Sequence, residues 1–289
     1  QHQVDLFQED IFNAWKLGIA KAPVEQKIWH LAKDVAIAPK SLSLRKNVDT
    51  VISEAEIHEI NTAGKVLNRF IEEQSTEYLE QGKIVGVLGG EHSIAQGLVQ
   101  ALSKKYTSFG VLQIDAHADL REAYEGFKYS HASVMFNILS IRGVSRLVQV
   151  GVRDFCDEEA EIMLEDDRVK SYTGMQLGEH LALGESWHQQ VQKILSDLPD
   201  LVYVSFDIDG LDPSLCPGTG TPVPGGLTFD QADYLIRTLA RSEKTIIGFD
   251  LCEVGPGTGE GDWDGNVGAR MLYRLINLTA ASQNKILFN

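Results

Sequence analysis

Residues 112–121 read LQIDAHADLR: an apolar run closes, and Asp115, His117 and Asp119 follow at every second position. Alternate residues of an extended segment share a face, so the spacing expects these three groups side by side. SFDIDGLD repeats half of the pattern with Asp207 and Asp209, and GGEHS adds His92. Like charges a few ångströms apart near a protein surface repel by about 4 kcal/mol, so uncompensated carboxylates would protonate or move apart. No lysine or arginine lies inside DAHAD or SFDIDGLDP, and the expected counter-charge is therefore metal. The six donors exceed the needs of one four-coordinate zinc and suit two divalent ions bridged by carboxylates. An oxygen-rich set with two imidazoles favours Mn²⁺, two per subunit, with Ni²⁺ or Co²⁺ as compatible substitutes. Water between two such ions becomes hydroxide near neutral pH and can attack an unreactive carbon.

Residues so far apart in sequence need a scaffold that brings strand ends together. Short apolar runs without strict alternation read as buried parallel strands: 83–88, 109–114, 146–152, 201–206 and 245–251. Helical periodicity appears at 97–106, 132–140, 186–198 and 228–242, the last with Thr228 as N-cap. The alternation predicts an α/β fold of three layers, a central parallel sheet flanked by helices. No linker, composition break or repeat divides it, so residues 1–289 read as one domain, with 1–50 as a less regular N-terminal extension that wraps the sheet edge or meets a neighbouring subunit. In such sheets ligands collect at the carboxyl ends of the strands. Four of the expected strands end there in candidate residues: Glu91 and His92; Asp115, His117 and Asp119; Asp207, Asp209 and Asp212; Asp250 and Glu253.

Composition narrows the partners. With 289 residues and 43% hydrophobic content the chain can bury a sizeable core. Its 41 acidic against 26 basic residues leave a net charge of -15, which repels nucleic acid and anionic lipid and tolerates a cationic small substrate. No membrane-length apolar window and no secretory start is present, so the expected compartment is the cytoplasm. Cys156, Cys216 and Cys252 lack metal-clip spacing and read as reduced thiols.

GGEHS (89–93), DAHAD (115–119) and SFDIDGLDPSLCPGTGTPVPGGL (205–227) resemble, in order, the signature segments of the ureohydrolase family of arginases, agmatinases and related guanidino hydrolases. The resemblance implies an arginase-like fold, a dinuclear manganese centre and a homo-oligomer, trimer or hexamer. By position, His92, Asp115, His117, Asp119, Asp207 and Asp209 match the family's metal ligands, and Asp119 is also counted among the catalytic residues. His131, in YSHASV, falls where the family carries a proton-shuttling histidine, and Glu253, in CEVGPG, matches the glutamate that holds the guanidinium. Those roles suit the side chains, since imidazole titrates near neutrality and a carboxylate pairs with a planar guanidinium through two charge-assisted bonds.

Arginases usually carry an asparagine at the position of Arg121, whereas the run DLREAYEGFKYSHA (119–132) resembles agmatinases. Glu122 and Glu125 would favour a dication, while Arg121 could pair with a carboxylate. The expected reaction is hydrolysis of agmatine to putrescine and urea by a metal-bridging hydroxide. The alternatives are another guanidino hydrolase, namely arginase, guanidinobutyrase or guanidine hydrolase. A dinuclear phosphoesterase ranks lower because Glu253 would repel phosphate, and a non-catalytic member because it would need none of these groups. Glu91 is expected either to support a ligand or to serve the structure, Asp212 before Pro213 to form a turn, and Asp250 to orient a neighbour.

Overall fold

The computed structural model describes residue 11 and residues 17–24, 26–28, 30–31, 52–257 and 261–288. The expectation for residues 1–50 lies largely outside the described residues. Among the described residues six parallel strands form one sheet: β1 Gly86–Leu88, β2 Phe109–Ile114, β3 Val144–Val150, β4 Val169–Tyr172, β5 Leu201–Asp207 and β6 Thr245–Cys252. Their order is β1-β6-β5-β2-β3-β4. From β2 the chain winds outward through β3 to β4, then returns to place β5 on the other side of β2 and winds toward β1. The winding direction therefore changes between β2 and β5, which opens a crevice at their carboxyl ends.

After a helical stretch at 26–28 and 30–31, the helices with bounds among the described residues are α1 Glu54–Glu80, α2 Ala95–Lys105, α3 Val134–Leu139, α4 Asp157–Glu165, α5 Gly174–Ala182, α6 Trp187–Ser196, α7 Phe229–Arg241 and α8 Trp263–Ser282. Strand parity divides the core. Leu112, Ile114, Val148, Val150, Val204 and Phe206 pack with α6, α7 and α8, whereas Val111, Leu147 and Tyr203 pack with α2 and α3. Both faces are buried, which explains why the strand sequences are apolar without strict alternation.

All five expected strands form, β2 with the expected bounds and the other four with shifted ends. The run 146–152 is displaced to 144–150 because Gly151, at φ 97°, turns the chain out of the sheet. Thr228 caps α7 as expected, in a reciprocal capping box with Gln231. The elements that sequence reading passed over are α1, α4, α5, α8 and β4. The four residues VKSY of β4 carry too little pattern to mark a strand, and pairing with β3 creates it. For α1 a signal was present, the box in which Ser53 and Glu56 satisfy each other's backbone N–H.

Candidate metal centre

Register sets the starting positions. Ile114 of β2 lies opposite Phe206 of β5, so Asp115 and Asp207 leave the sheet at the same level. The expected face-sharing along 115–119 does not come from strand alternation, however. The strand stops at Ile114 and the chain turns: Asp115 Oδ1 accepts from the N–H of His117 (2.7 Å), and Asp119 adopts φ 55°, with its carbonyl accepting from Met135 and Phe136. Likewise Asp207 ends β5 and its Oδ1 accepts from the N–H of Asp209 (2.9 Å), which lies in a 3₁₀ turn. Side-chain-to-backbone turns place these carboxylates, and the pleat does not.

Two clusters result. His92, fully buried on the turn before α2, directs Nδ1 toward Asp115 Oδ2 (3.2 Å), Asp119 Oδ2 (3.1 Å) and Asp207 Oδ2 (3.3 Å). His117 directs Nδ1 toward Asp209 Oδ2 (3.1 Å) and Asp115 Oδ1 (3.6 Å). Asp115 belongs to both sets: in each of the groups His92, Asp115, Asp119 and Asp115, His117, Asp209 the candidate ligand atoms lie within 4.8 Å of one another. Four buried carboxylates and two imidazoles in this space demand positive charge.

The titration of the groups shows the same demand. Burial disfavours charge on His117, yet hydrogen bonds to Asp115 and Asp209 push its pKa up to about 11. Burial opposes charge on His92 too, but Asp115, Asp119 and Asp250 hold its pKa well above the usual imidazole range. Asp119 is pushed up to about 7 by burial and by the charge of Asp115, and Asp207 is raised by burial, Asp209 and Asp115. Asp115 lies below the usual carboxylate range: burial opposes its charge, but hydrogen bonds from His117 and His92 outweigh that burial. Without a metal the two imidazoles, and in part Asp119 and Asp207, hold protons that offset the crowded charge, and divalent ions would replace them on the same atoms. The donor set fits a pair of hard divalent cations.

A third group, His92, Asp250 and Cys252, lies behind the first. Burial and Asp250 push the Cys252 thiol well up, so it remains a neutral donor to Asp250 Oδ1. Asp250 also accepts from Tyr203 Oη (2.6 Å) and stands 3.5 Å from His92 Nε2, which pairs with Ser205 Oγ at 2.8 Å. The geometry makes Asp250 an orienting partner of the His92 ring.

Glu253 follows β6 with φ 61°, held by its N–H to Gly90 O (2.7 Å) and by Thr219 Oγ1 to its carbonyl (2.9 Å). Its Oε1 accepts from the N–H of His92 (2.9 Å). Burial and the nearby Glu91 push its pKa up to about 7. Glu91 lies outside the ligand clusters. One of its oxygens caps the turn at Ser93 and the other stands 3.3 Å from His131 Nδ1. Asp212 forms the expected turn, accepting from Ser214 N–H and Oγ.

Arg121 pairs with Glu159 on α4. Its Nε stands 3.4 Å from the buried Glu159, and its guanidinium lies 4.9 Å from the centre of the Tyr124 ring. Asp154 carries a carboxylate two-thirds exposed and 3.9 Å from His117 Nε2.

Sequence reading did not find Arg153. Its guanidinium donates to the carbonyls of Gly151, Asp209, Leu211, Val223 and Pro224, tying the loop after β5 to the end of β3. The local signal was an arginine immediately after an apolar strand.

Sheet order, crossovers and clustered strand ends together define an arginase-fold α/β protein. The solved structure of proclavaminate amidino hydrolase from Streptomyces clavuligerus superposes with a TM-score of 0.65 at 25% identity, covering 75% of this chain and 72% of that one. The chain belongs to the arginase family, whose model matches residues 20–277. Over 215 residues it is 36% identical to an N(1)-aminopropylagmatine ureohydrolase of Thermus thermophilus, covering 73% of this chain and 68% of that protein. An agmatinase of Bacillus anthracis is 35% identical over 64% of this chain and 60% of its own length. A guanidinobutyrase of Pseudomonas aeruginosa is 33% identical over 72% and 64%. The chain is an arginase-family guanidino hydrolase.

Proposed function

We propose that this protein hydrolyses agmatine to putrescine and urea at a dinuclear Mn²⁺ centre held by His92, Asp115, His117, Asp119, Asp207 and Asp209. The single observation that carries the substrate choice is the engagement of Arg121 by Glu159 and the Tyr124 ring. Arg121 is the cation that would have received a substrate carboxylate, and its Glu159 partner is buried. The Asp154 carboxylate beside His117 is mostly exposed and suits the distal amine of a dication.

When bound, the ion pair supplies a water acidic enough to act as a nucleophile near neutral pH. The protein does the rest. Glu253, fixed through the His92 N–H, pairs with the guanidinium and orients its carbon toward the clustered carboxylates. Asp119 shapes that cluster through its left-handed turn. His131 holds a proton near neutral pH, its pKa pushed up to about 9, because burial opposes its charge but Glu91 and the nearby Asp119 and Glu253 outweigh that burial. It can deliver that proton to the departing amine.

Among the described residues no helix is long and apolar enough to cross a membrane, and we place the enzyme in the cytoplasm as a homo-oligomer acting in polyamine synthesis. Urea release from Mn²⁺-loaded protein, with agmatine, aminopropylagmatine, arginine, 4-guanidinobutyrate and guanidine in parallel, tests the reading. Agmatine should show the highest kcat/KM. Preference for 4-guanidinobutyrate or arginine would overturn the substrate assignment and leave the chemistry standing.

A further inference from the structure

One row of residues crosses almost the whole sheet. Asp250, Ser205, Gln113, Gln149 and Ser171 stand in register on β6, β5, β2, β3 and β4. Two residues earlier on the central strands the same face carries Val111, Leu147 and Tyr203. The polar row is thus a tier inserted between the apolar core and the carboxylates, and Asp250, Ser205, Gln113 and Gln149 have no exposed surface. Unpaired amides at such positions would cost about 1–3 kcal/mol each, so the pairing they adopt carries information.

The hydrogen bonds run in one direction. Ser171 Oγ donates to Gln149 Oε1 (2.7 Å), and Gln149 Nε2 donates to Gln113 Oε1 (2.7 Å) and to the carbonyl of Ala118 (2.8 Å). Gln113 Nε2 then donates to Asp115 Oδ2 (2.9 Å) and to the carbonyl of His117 (3.2 Å). The two backbone carbonyls accept only, so neither amide can flip without losing a bond. The chain ends on Asp115, the carboxylate shared by both histidine clusters, and selects Oδ2, the oxygen that faces His92.

We propose that Gln113, Gln149 and Ser171 are positioning residues: a buried amide relay from the sheet edge that fixes which oxygen of Asp115 serves each half of the metal centre. The inference rests on the two-metal reading above. The relay also grips the turn 115–119 from below, through the carbonyls of His117 and Ala118. Partners behind metal ligands commonly change metal affinity or activity by about 10- to 100-fold when removed.

Mn²⁺ binding and the electron paramagnetic resonance spectrum of the loaded protein test this. The wild type should bind two Mn²⁺ and give the exchange-coupled spectrum of a bridged pair. Q113M, which keeps length and loses both donors, should weaken one of the two ions by about 10- to 100-fold and diminish the coupled signal. Q149M should act in the same direction by a smaller factor, and Q113M/Q149M should match Q113M alone, as members of one network do. Unchanged affinity and spectrum in Q113M would overturn the relay, as would fully additive single effects, which mark independent packing defects. If Q113M does not fold, S171A, which removes one hydroxyl from β4, carries the test: a severalfold loss at the same ion supports the relay, and no change overturns it. A wild type that binds fewer than two Mn²⁺ would overturn the two-metal reading itself, and that result is distinguishable because it needs no variant.

Discussion

Asp115 directs Oδ2 toward His92 Nδ1 at 3.2 Å and Oδ1 toward His117 Nδ1 at 3.6 Å, so one carboxylate joins two imidazole clusters. The remaining acids divide, with Asp119 and Asp207 on the His92 side and Asp209 on the His117 side. Asp119→Ala and Asp209→Ala should therefore each lose one Mn²⁺ per chain while Asp115→Ala weakens both. Turnover should fall roughly 10³-fold or more in all three. Metal analysis after gel filtration checks the stoichiometry, and full activity in Asp209→Ala would contradict the assignment.

Glu253 Oε1 accepts from the His92 N–H, and in the proposed reading the carboxylate receives the substrate guanidinium. Glu253→Gln keeps an acceptor for that N–H and removes the charge that a guanidinium needs. It should retain both ions and lower kcat/KM by about 10²- to 10³-fold, measured by urea release. Loss of metal in this variant would show Glu253 to be part of the metal site.

Burial opposes a charge on His131, but its hydrogen bond to Glu91, followed by the charges of Glu91, Asp119 and Glu253, pushes its pKa up to about 9. A raised imidazole pKa means that the proton is held below that value and lost above it, so proton donation should fail as pH rises through about 9. Glu91→Gln removes the first of the raising causes, and the alkaline limb of the kcat profile should move to lower pH. A limb that does not move in this variant would exclude the Glu91–His131 pair as its origin.

Metal binding should release protons. At neutral pH the metal-free centre keeps His117, at a pKa of about 11, and His92 protonated, and both rings must be neutral to ligate. Calorimetric titration with Mn²⁺ at pH 7 should give apparent enthalpies that differ between buffers of different ionisation enthalpy, with one or more protons released. The apparent affinity should rise with pH. Buffer-independent heats would refute this charge balance.

Arg153 joins five backbone carbonyls on two loops, among them that of the candidate ligand Asp209. Arg153→Ala leaves those carbonyls without their donor and should destabilise the protein by about 3 kcal/mol, measured by denaturant unfolding. Arg153→Lys, which cannot reproduce the planar fork, should recover only part of that loss.

Much of the fold was legible because the signals are local. Fully buried parallel strands need short apolar runs, and Thr228 announces a helix start through a hydrogen bond spanning three residues. The candidate ligands were legible for a related reason: Asp115, His117, Asp207 and Asp209 follow directly on such runs, and charge at the end of a buried strand is costly unless it has a purpose. Apart from helices such as α1, whose local capping box was passed over, what failed were features whose stabilisation comes from a distant partner. The strand β4 exists because β3 lies beside it, and the Arg121 pairing depends on Glu159, 38 residues away in sequence. The polar tier was visible as single letters, Gln113 and Gln149 in LQID and LVQVG, but their meaning arises only where strand register places them side by side.

The amino-acid sequence by itself determined which side chains arrive at the strand ends, since local pattern fixes where buried strands stop. The tertiary structure alone decided how those groups are shared. Strand order put β5 beside β2, turns rather than pleat aimed the carboxylates, and Asp115 came to lie between two histidines supplied by different segments. Sharing of that kind is a property of distances between chain segments, which sequence spacing does not encode.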